Sequence, residues 1–138
     1  MPIPVRVVSV ERLLFEGDAE FVLTRSLEGE LGILPNHAPL LAALAPNELR
    51  IDKAGGGSEH IFVGGGFLEV LPDRVTVLAD VAEHTSEINL ERAEASRRAI
   101  ADRLAGQVPD TERRSLEQEL VMAEERLRLA RIRRGGGG

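Results

Sequence analysis

The chain has 138 residues, 43% of them apolar and 29% charged, with a formal net charge of −6. This is the balance of a soluble globular protein of one domain, or of one domain with an appendage. There is no cysteine, which excludes disulfides, thiolate metal sites and thiol catalysis, and no apolar run nears the ~20 residues of a membrane-spanning helix.

The start of the chain lacks the basic residues and long apolar core of a secretory signal, so the cytosolic side of a cell is expected. Charge divides unevenly along the chain. Residues 1–84 hold 6 basic and 13 acidic side chains, whereas residues 85–138 hold 11 basic and 10 acidic. Lys53 is the only lysine, and every other basic residue is arginine.

The first 84 residues read as strands. Ile3, Val5 and Val7 alternate with their neighbours, as do Phe21 and Leu23, and then Val75, Val77 and Ala79. These are β-branched or apolar runs of period two. Gly17-Asp18, Gly55-Gly56-Gly57 and Pro72-Asp73 each suit a tight turn, and Gly64–Gly66 suits a corner where a Cβ would clash. Many short strands with such turns predict a sandwich or barrel of mainly antiparallel pairing. A triple glycine can also cradle phosphate, but that use wants a strand leading into a helix, and strands flank this one on both sides.

From Ile88 the period changes. Leu90, Ala93, Ile100 and Leu104 fall at helical spacing, and Gly106 and Pro109 end that helix. Asp110 or Thr111 can cap a second helix, whose Leu116, Leu120, Ala123, Leu127 and Ala130 form a narrow seam. The short connector predicts an antiparallel hairpin. Its seam is thin and alanine-rich, with Arg97 where an apolar residue is expected, so the hairpin is marginal alone. It either docks on the sandwich or is captured by a partner. The expected domains are therefore a sandwich at 1–84, a helical hairpin at 85–134 and a flexible glycine tail at 135–138.

Three stretches carry a family resemblance. "EGELGILPNHAPLL" at 28–41, "GGFLEV" at 65–70 and "VTVLAD" at 75–80, followed by Arg92-Ala93 early in a helical hairpin, resemble the epsilon subunit of the rotary, bacterial F-type ATP synthase. The resemblance runs essentially end to end. It implies an N-terminal antiparallel β-sandwich of about ten short strands and a C-terminal helical hairpin. It implies a non-catalytic subunit of the central stalk, peripheral at the cytoplasmic face of the bacterial plasma membrane, in a proton-driven complex. The sandwich would bind the gamma subunit and the c-subunit ring. The helices would lie down on the sandwich, or extend along gamma towards the alpha and catalytic beta subunits and inhibit ATP hydrolysis.

No catalytic residue, metal or cofactor is expected. His37 has no nucleophile or carboxylate beside it in the sequence, so a turn role is expected. Pro35 and Pro39 fix backbone angles, Gly29 and Gly32 allow bends, and Asn36 tolerates a left-handed angle. The loop would thereby hold Glu30 and His37 at an interface with gamma and the c-ring. The tail arginines Arg126, Arg128, Arg131, Arg133 and Arg134 would meet acidic loops of the beta subunits.

Some members of the family bind ATP through a motif Ile-Asp-x-x-Arg-Ala. Here Ile88, Arg92 and Ala93 match, Asn89 replaces the aspartate, and Glu83 and Arg126 stand at further matching positions. Ala99 and Met122 occupy positions where tight binders have phosphate-facing arginines. Each lost charge-assisted bond costs roughly 1.5–3 kcal/mol, so two losses weaken binding by roughly two to four decades. ATP binding is thus expected to be weak or absent, and a micromolar affinity by titration calorimetry would overturn that expectation.

Two readings compete. One is an isolated nucleotide-sensing sandwich that binds ATP on the hairpin, against which the missing arginines speak. The other is a nucleic-acid binder using "RLRLARIRR" at 126–134. The acidic net charge and the lack of Tyr or Trp for stacking count against it.

Overall fold

The computed structural model describes residues 1–135, and the side chain of Arg134 and residues 136–138 of the glycine tail lie outside that description. The chain divides into two compact units, Met1–His84 and Thr85–Gly138.

The first unit contains nine strands among the described residues. They are β1 (Ile3–Ser9), β2 (Leu13–Ser26), β3 (Gly29–Ile33), β4 (Leu40–Ala43), β5 (Asn47–Lys53), β6 (Ser58–Val63), β7 (Gly66–Leu71), β8 (Arg74–Ala79) and β9 (Ala82–His84). They pair in the order β4-β7-β8-β1-β2-β5-β6-β9, with β3 also on β2. β2 is one strand of 14 residues. Its first half pairs with β1, from Val8↔Leu13 to Ile3↔Ala19, and its second half pairs with β5 and β3. One ladder thus folds over into two layers, and β2 belongs to both.

Gly17-Asp18 therefore is not the expected turn. Both residues lie inside β2, opposite Val5 and Pro4 of β1. Gly17 serves packing instead: a Cβ there would sit 3.2 Å from the Phe15 ring. Pairing is antiparallel as expected except between β1 and β8, which run parallel. No helix was needed as a crossover there, because the six strands between them in sequence make the connection.

Alternation decides which side chains enter the core. Ile3, Val5 and Val7 are buried, as are Val75, Val77 and Ala79 from β8 and Leu49, Ile51, Ile61 and Val63 from β5 and β6. Two buried polar side chains sit where β2 leaves the core. Asn47 accepts hydrogen bonds at Oδ1 from Thr24 Oγ1 and from Arg25 N, both 3.0 Å. Its Nδ2 donates to Arg25 O at 3.2 Å and to Ala45 O at 2.6 Å. All of its polar capacity is used, so burial carries little penalty and the start of β5 is pinned to the end of β2.

The second unit begins with a 3-10 turn, Thr85–Glu87, and continues as α1 (Leu90–Ala105) and α2 (Asp110–Gly135). Asn89 caps α1, its side chain accepting from Arg92 N at 2.9 Å, and Gly106 ends it. The two helices pack antiparallel, as the short connector implies. Leu116, Leu127 and Ala130 of the expected seam are buried, and Leu120 and Ala123 are half-buried. Leu129 is buried as well, off the expected spacing. In α1 only Ala93 is fully buried, with Leu90, Arg97, Ile100 and Leu104 half-exposed.

Candidate partner-binding surface

The stretch expected to be a loop is largely β3, a turn and β4. Ser26 opens it: its hydroxyl donates to Gly29 O at 2.8 Å and accepts from Glu28 N at 3.1 Å, which fixes a tight turn with Leu27 at its tip. Gly29 has φ +136°, as its place in that turn requires. Gly32 does not form a bend. It lies within β3 opposite Leu23, and a Cβ there would come 3.0 Å from the Phe21 ring.

Asn36 takes φ 71°, the left-handed angle its side chain tolerates. His37 N donates to Leu34 O at 3.1 Å, closing the turn, and the ring Nδ1 lies 2.6 Å from Ala38 O. That contact makes Nδ1 the donor, so the imidazole staples the turn beside it. Pro35 is half-buried and Pro39 exposed.

Glu30 lies apart from that turn, exposed on β3 opposite Arg25 of β2. Arg25 does not answer it; its Nη2 donates to Pro46 O at 3.2 Å. Among the described residues no ion pair or hydrogen bond engages the Glu30 carboxylate or joins it to His37. Residues 26–31 and 40–43 form an open groove of about 360 Å³ around it, rimmed by the exposed Leu27 and Leu41. The sequence pointed to this acid, but not to the apolar rim beside it.

A second surface went unseen in the sequence. The registers Ala43↔Phe67, Phe67↔Leu78, Val8↔Leu78 and Val8↔Leu13 align five apolar side chains in one row across β4, β7, β8, β1 and β2. The row faces outward: Phe67 is 53% exposed, Leu78 55% and Leu13 48%. The next row is Leu41, Glu69, Thr76, Arg6 and Glu16, with Arg6 Nε 3.4 Å from Glu16 Oε2. At the end of the strands stand Val10, 90% exposed, and Val81. The Ser9–Arg12 turn presents Val10 rigidly, since Ser9 N donates to Arg12 O and Ser9 Oγ accepts from Glu11 N and Arg12 N. Period-two patterning cannot reveal such a row, because each strand contributes only one of its members.

The hairpin residues separate into distinct settings. Arg128 is bound within α2 by Glu125, Nε to Oε2 at 3.0 Å. Arg131 reaches across to Glu94 of α1 at 3.9 Å. Arg126 is half-buried and Arg133 exposed. Of the nucleotide candidates, Glu83 lies on β9 in the first unit, and Ile88, Asn89, Arg92, Ala93 and Arg126 lie in the second. The Asn89 side-chain oxygen caps α1, and Ala93 is buried. Among the described residues no group of three or more His, Asp or Glu is placed to hold a metal ion, and no helix is long and apolar enough to cross a membrane.

Comparison with known proteins matches residues 2–85 to the family described as ATP synthase, Delta/Epsilon chain, beta-sandwich domain. An ATP synthase epsilon chain of Acidithiobacillus ferridurans is 45% identical over 137 residues, covering 99% of this chain and 96% of its own. Those of Bordetella avium and Herpetosiphon aurantiacus are 41% and 40% identical, covering 96% and 97% of this chain and 95% and 98% of theirs. Among solved structures, a chain of the Euglena gracilis mitochondrial ATP synthase shares the fold with a TM-score of 0.78 at 22% identity, over 90% of this chain and 78% of that one. A chain of the Tetrahymena thermophila mitochondrial ATP synthase central stalk and c-ring shares it with a TM-score of 0.67 at 12% identity, over 94% of this chain and 97% of that one. A sandwich matched over 2–85 and full-length relatives at 40–45% identity lead to one conclusion: the chain belongs to the ATP synthase epsilon-chain family, a non-catalytic subunit of that complex.

Proposed function

We propose that this chain is a central-stalk subunit of a proton-translocating F-type ATP synthase, in which the sandwich joins a gamma subunit to the c-subunit ring and the hairpin restrains ATP hydrolysis. The observation that carries the reading is the outward apolar row Ala43, Phe67, Leu78, Val8 and Leu13. Scattered exposed apolar side chains need no explanation, but a row aligned across five strands is an interface in waiting. It suits the gamma subunit, a large and permanent partner. The Glu30 groove suits the ring loops, because its carboxylate is unpaired and its rim is apolar. Together these contacts hold the subunit at the cytoplasmic face of a bacterial plasma membrane. The tail arginines then suit acidic loops of the alpha and beta subunits when the helices extend, and nucleotide is at most a weak ligand.

Replacing Phe67 by Lys and Leu78 by Glu, opposite charges on directly facing positions, tests the sandwich assignment. Both side chains are about half exposed, so the isolated variant is expected to keep its circular dichroism and to melt within a few degrees of the parent. Two lost apolar anchors at ~1.5–3 kcal/mol each predict at least a 100-fold loss of affinity for gamma in a pull-down titration. Glu30→Arg is expected to leave gamma binding intact and to loosen the c-ring. Unchanged gamma affinity of the Phe67, Leu78 double variant would overturn the assignment.

A further inference from the structure

The tail arginines differ in what becomes of their partners if the hairpin opens. Arg128 is paired with Glu125 on the same helix, three residues earlier, and that pair travels wherever α2 goes. Arg131 is paired with Glu94, which stands on α1. That contact exists only while α2 lies along α1. A second cross-hairpin pair, Arg103–Glu112 at 3.3 Å, sits beside the connector, where the chain itself keeps the helices close. Glu94 and Arg131 lie at the far end, near the start of α1 and the end of α2.

We infer that Glu94 is an intramolecular competitor for Arg131 that sets how often the hairpin opens. This rests on the reading of the hairpin as a restraint on hydrolysis. An arginine held by Glu94 cannot at the same time serve an acidic loop on another subunit, because reaching that loop carries α2 away from α1. Closing the hairpin and engaging a partner therefore draw on the same charge, and Glu94 sets the closed side of the balance. The pair is exposed, with 59% and 39% of the two side chains accessible, so its leverage is modest and falls as salt rises. An exposed pair of this kind changes a two-state ratio by about two- to five-fold. That suffices where the seam beneath is thin and the two states lie close.

Two measurements separate the pair from the reading it rests on. The first uses the isolated full-length chain and follows amide hydrogen exchange in α2, which reports opening even when the open form is rare. Glu94→Gln and Arg131→Ala are each expected to lower protection by about two- to five-fold, and to be non-additive when combined. The swap Glu94→Arg with Arg131→Glu is expected to restore it. Unchanged protection in Glu94→Gln, or a swap that fails to restore it, overturns the competitor. The second measures ATP hydrolysis by the assembled complex, where Glu94→Gln is expected to deepen inhibition by the same factor. If protection falls in the isolated chain while hydrolysis stays as it was, the competitor has no target, and the restraining role of the hairpin fails instead.

Discussion

Deleting residues 110–138 is expected to raise ATP hydrolysis by the assembled complex several-fold. The gain is about ten-fold where the extended hairpin holds roughly nine-tenths of the enzyme, a bias of only ~1.3 kcal/mol. The physical ground is the weakness of the closed state. α1 contributes a single fully buried residue, Ala93, and its cross-hairpin ion pairs are exposed. Little therefore opposes extension. Five arginines are more than the helix macrodipole can use, since that field fades within the last turn.

The structure grades their contributions. Arg128 already shares its charge with Glu125, so Arg128→Ala alone is expected to change little. Arg133, exposed on α2, is expected to contribute more. Replacing Arg126, Arg128, Arg131, Arg133 and Arg134 together by Ala is expected to reproduce most of the effect of the deletion, and raised salt should act in the same direction. A truncated complex that hydrolyses ATP no faster than the intact one would make the hairpin a static brace.

The largest stability effect is expected at Gly66. Its φ of +115° is one that side chains rarely adopt, and a Cβ would stand 2.1 Å from Leu78 O and 2.8 Å from Ala79 Cα. Both are backbone atoms of β8, paired with β7 through Gly66↔Ala79, so neither can rotate away. Leu44 N also donates to Gly66 O, which ties β7 to the segment after β4. Strain and overlap together place the cost of Gly66→Ala above ~3 kcal/mol. For a unit of this size that lowers the melting midpoint by roughly 12–24 °C, or prevents folding outright. Gly55→Ala is the control. Nothing lies within 4 Å of its added Cβ and its φ is not left-handed, so its melting curve is expected to overlay the parent's. A Gly66→Ala chain that melts with the parent would show that β7 and β8 can separate at no cost.

How legible these features were depended on whether one strand could announce them by itself. Val75, Val77 and Ala79 alternate inward over a full strand, and the turns at 55–57 and 72–73 have the residues that tight turns demand. The change to helical period after Ile88 was equally plain. Gly17-Asp18 misled because a glycine that makes room for Phe15 has the same letter as one that turns the chain. β3 and β4 hid inside a stretch whose prolines and glycines read as loop, although Gly32 lies within β3 and only the turns at 26–29 and around Asn36 use the others so. The burial of Asn47 was unreadable, because its four hydrogen bonds come from residues up to 23 positions away. The apolar row was invisible for a related reason. Its members are spread over 71 positions and meet only through four strand registers. Glu30 could be named in advance, but its lack of a partner follows from Arg25 turning to Pro46, which no local pattern foretells.

The continuity of β2 through both layers has a mechanical side. In a sandwich whose layers touch only through side chains, one layer can slide over the other by repacking soft contacts. Here any such slip must bend a covalent backbone at Ala19, where the strand is paired to Ile3 on one side and Lys53 on the other. The surface bearing Phe67 and Leu78 and the layer bearing β5 and β6 are thereby joined in shear. A twisting load applied to one is felt by the other with little lost motion, as in a keyed shaft.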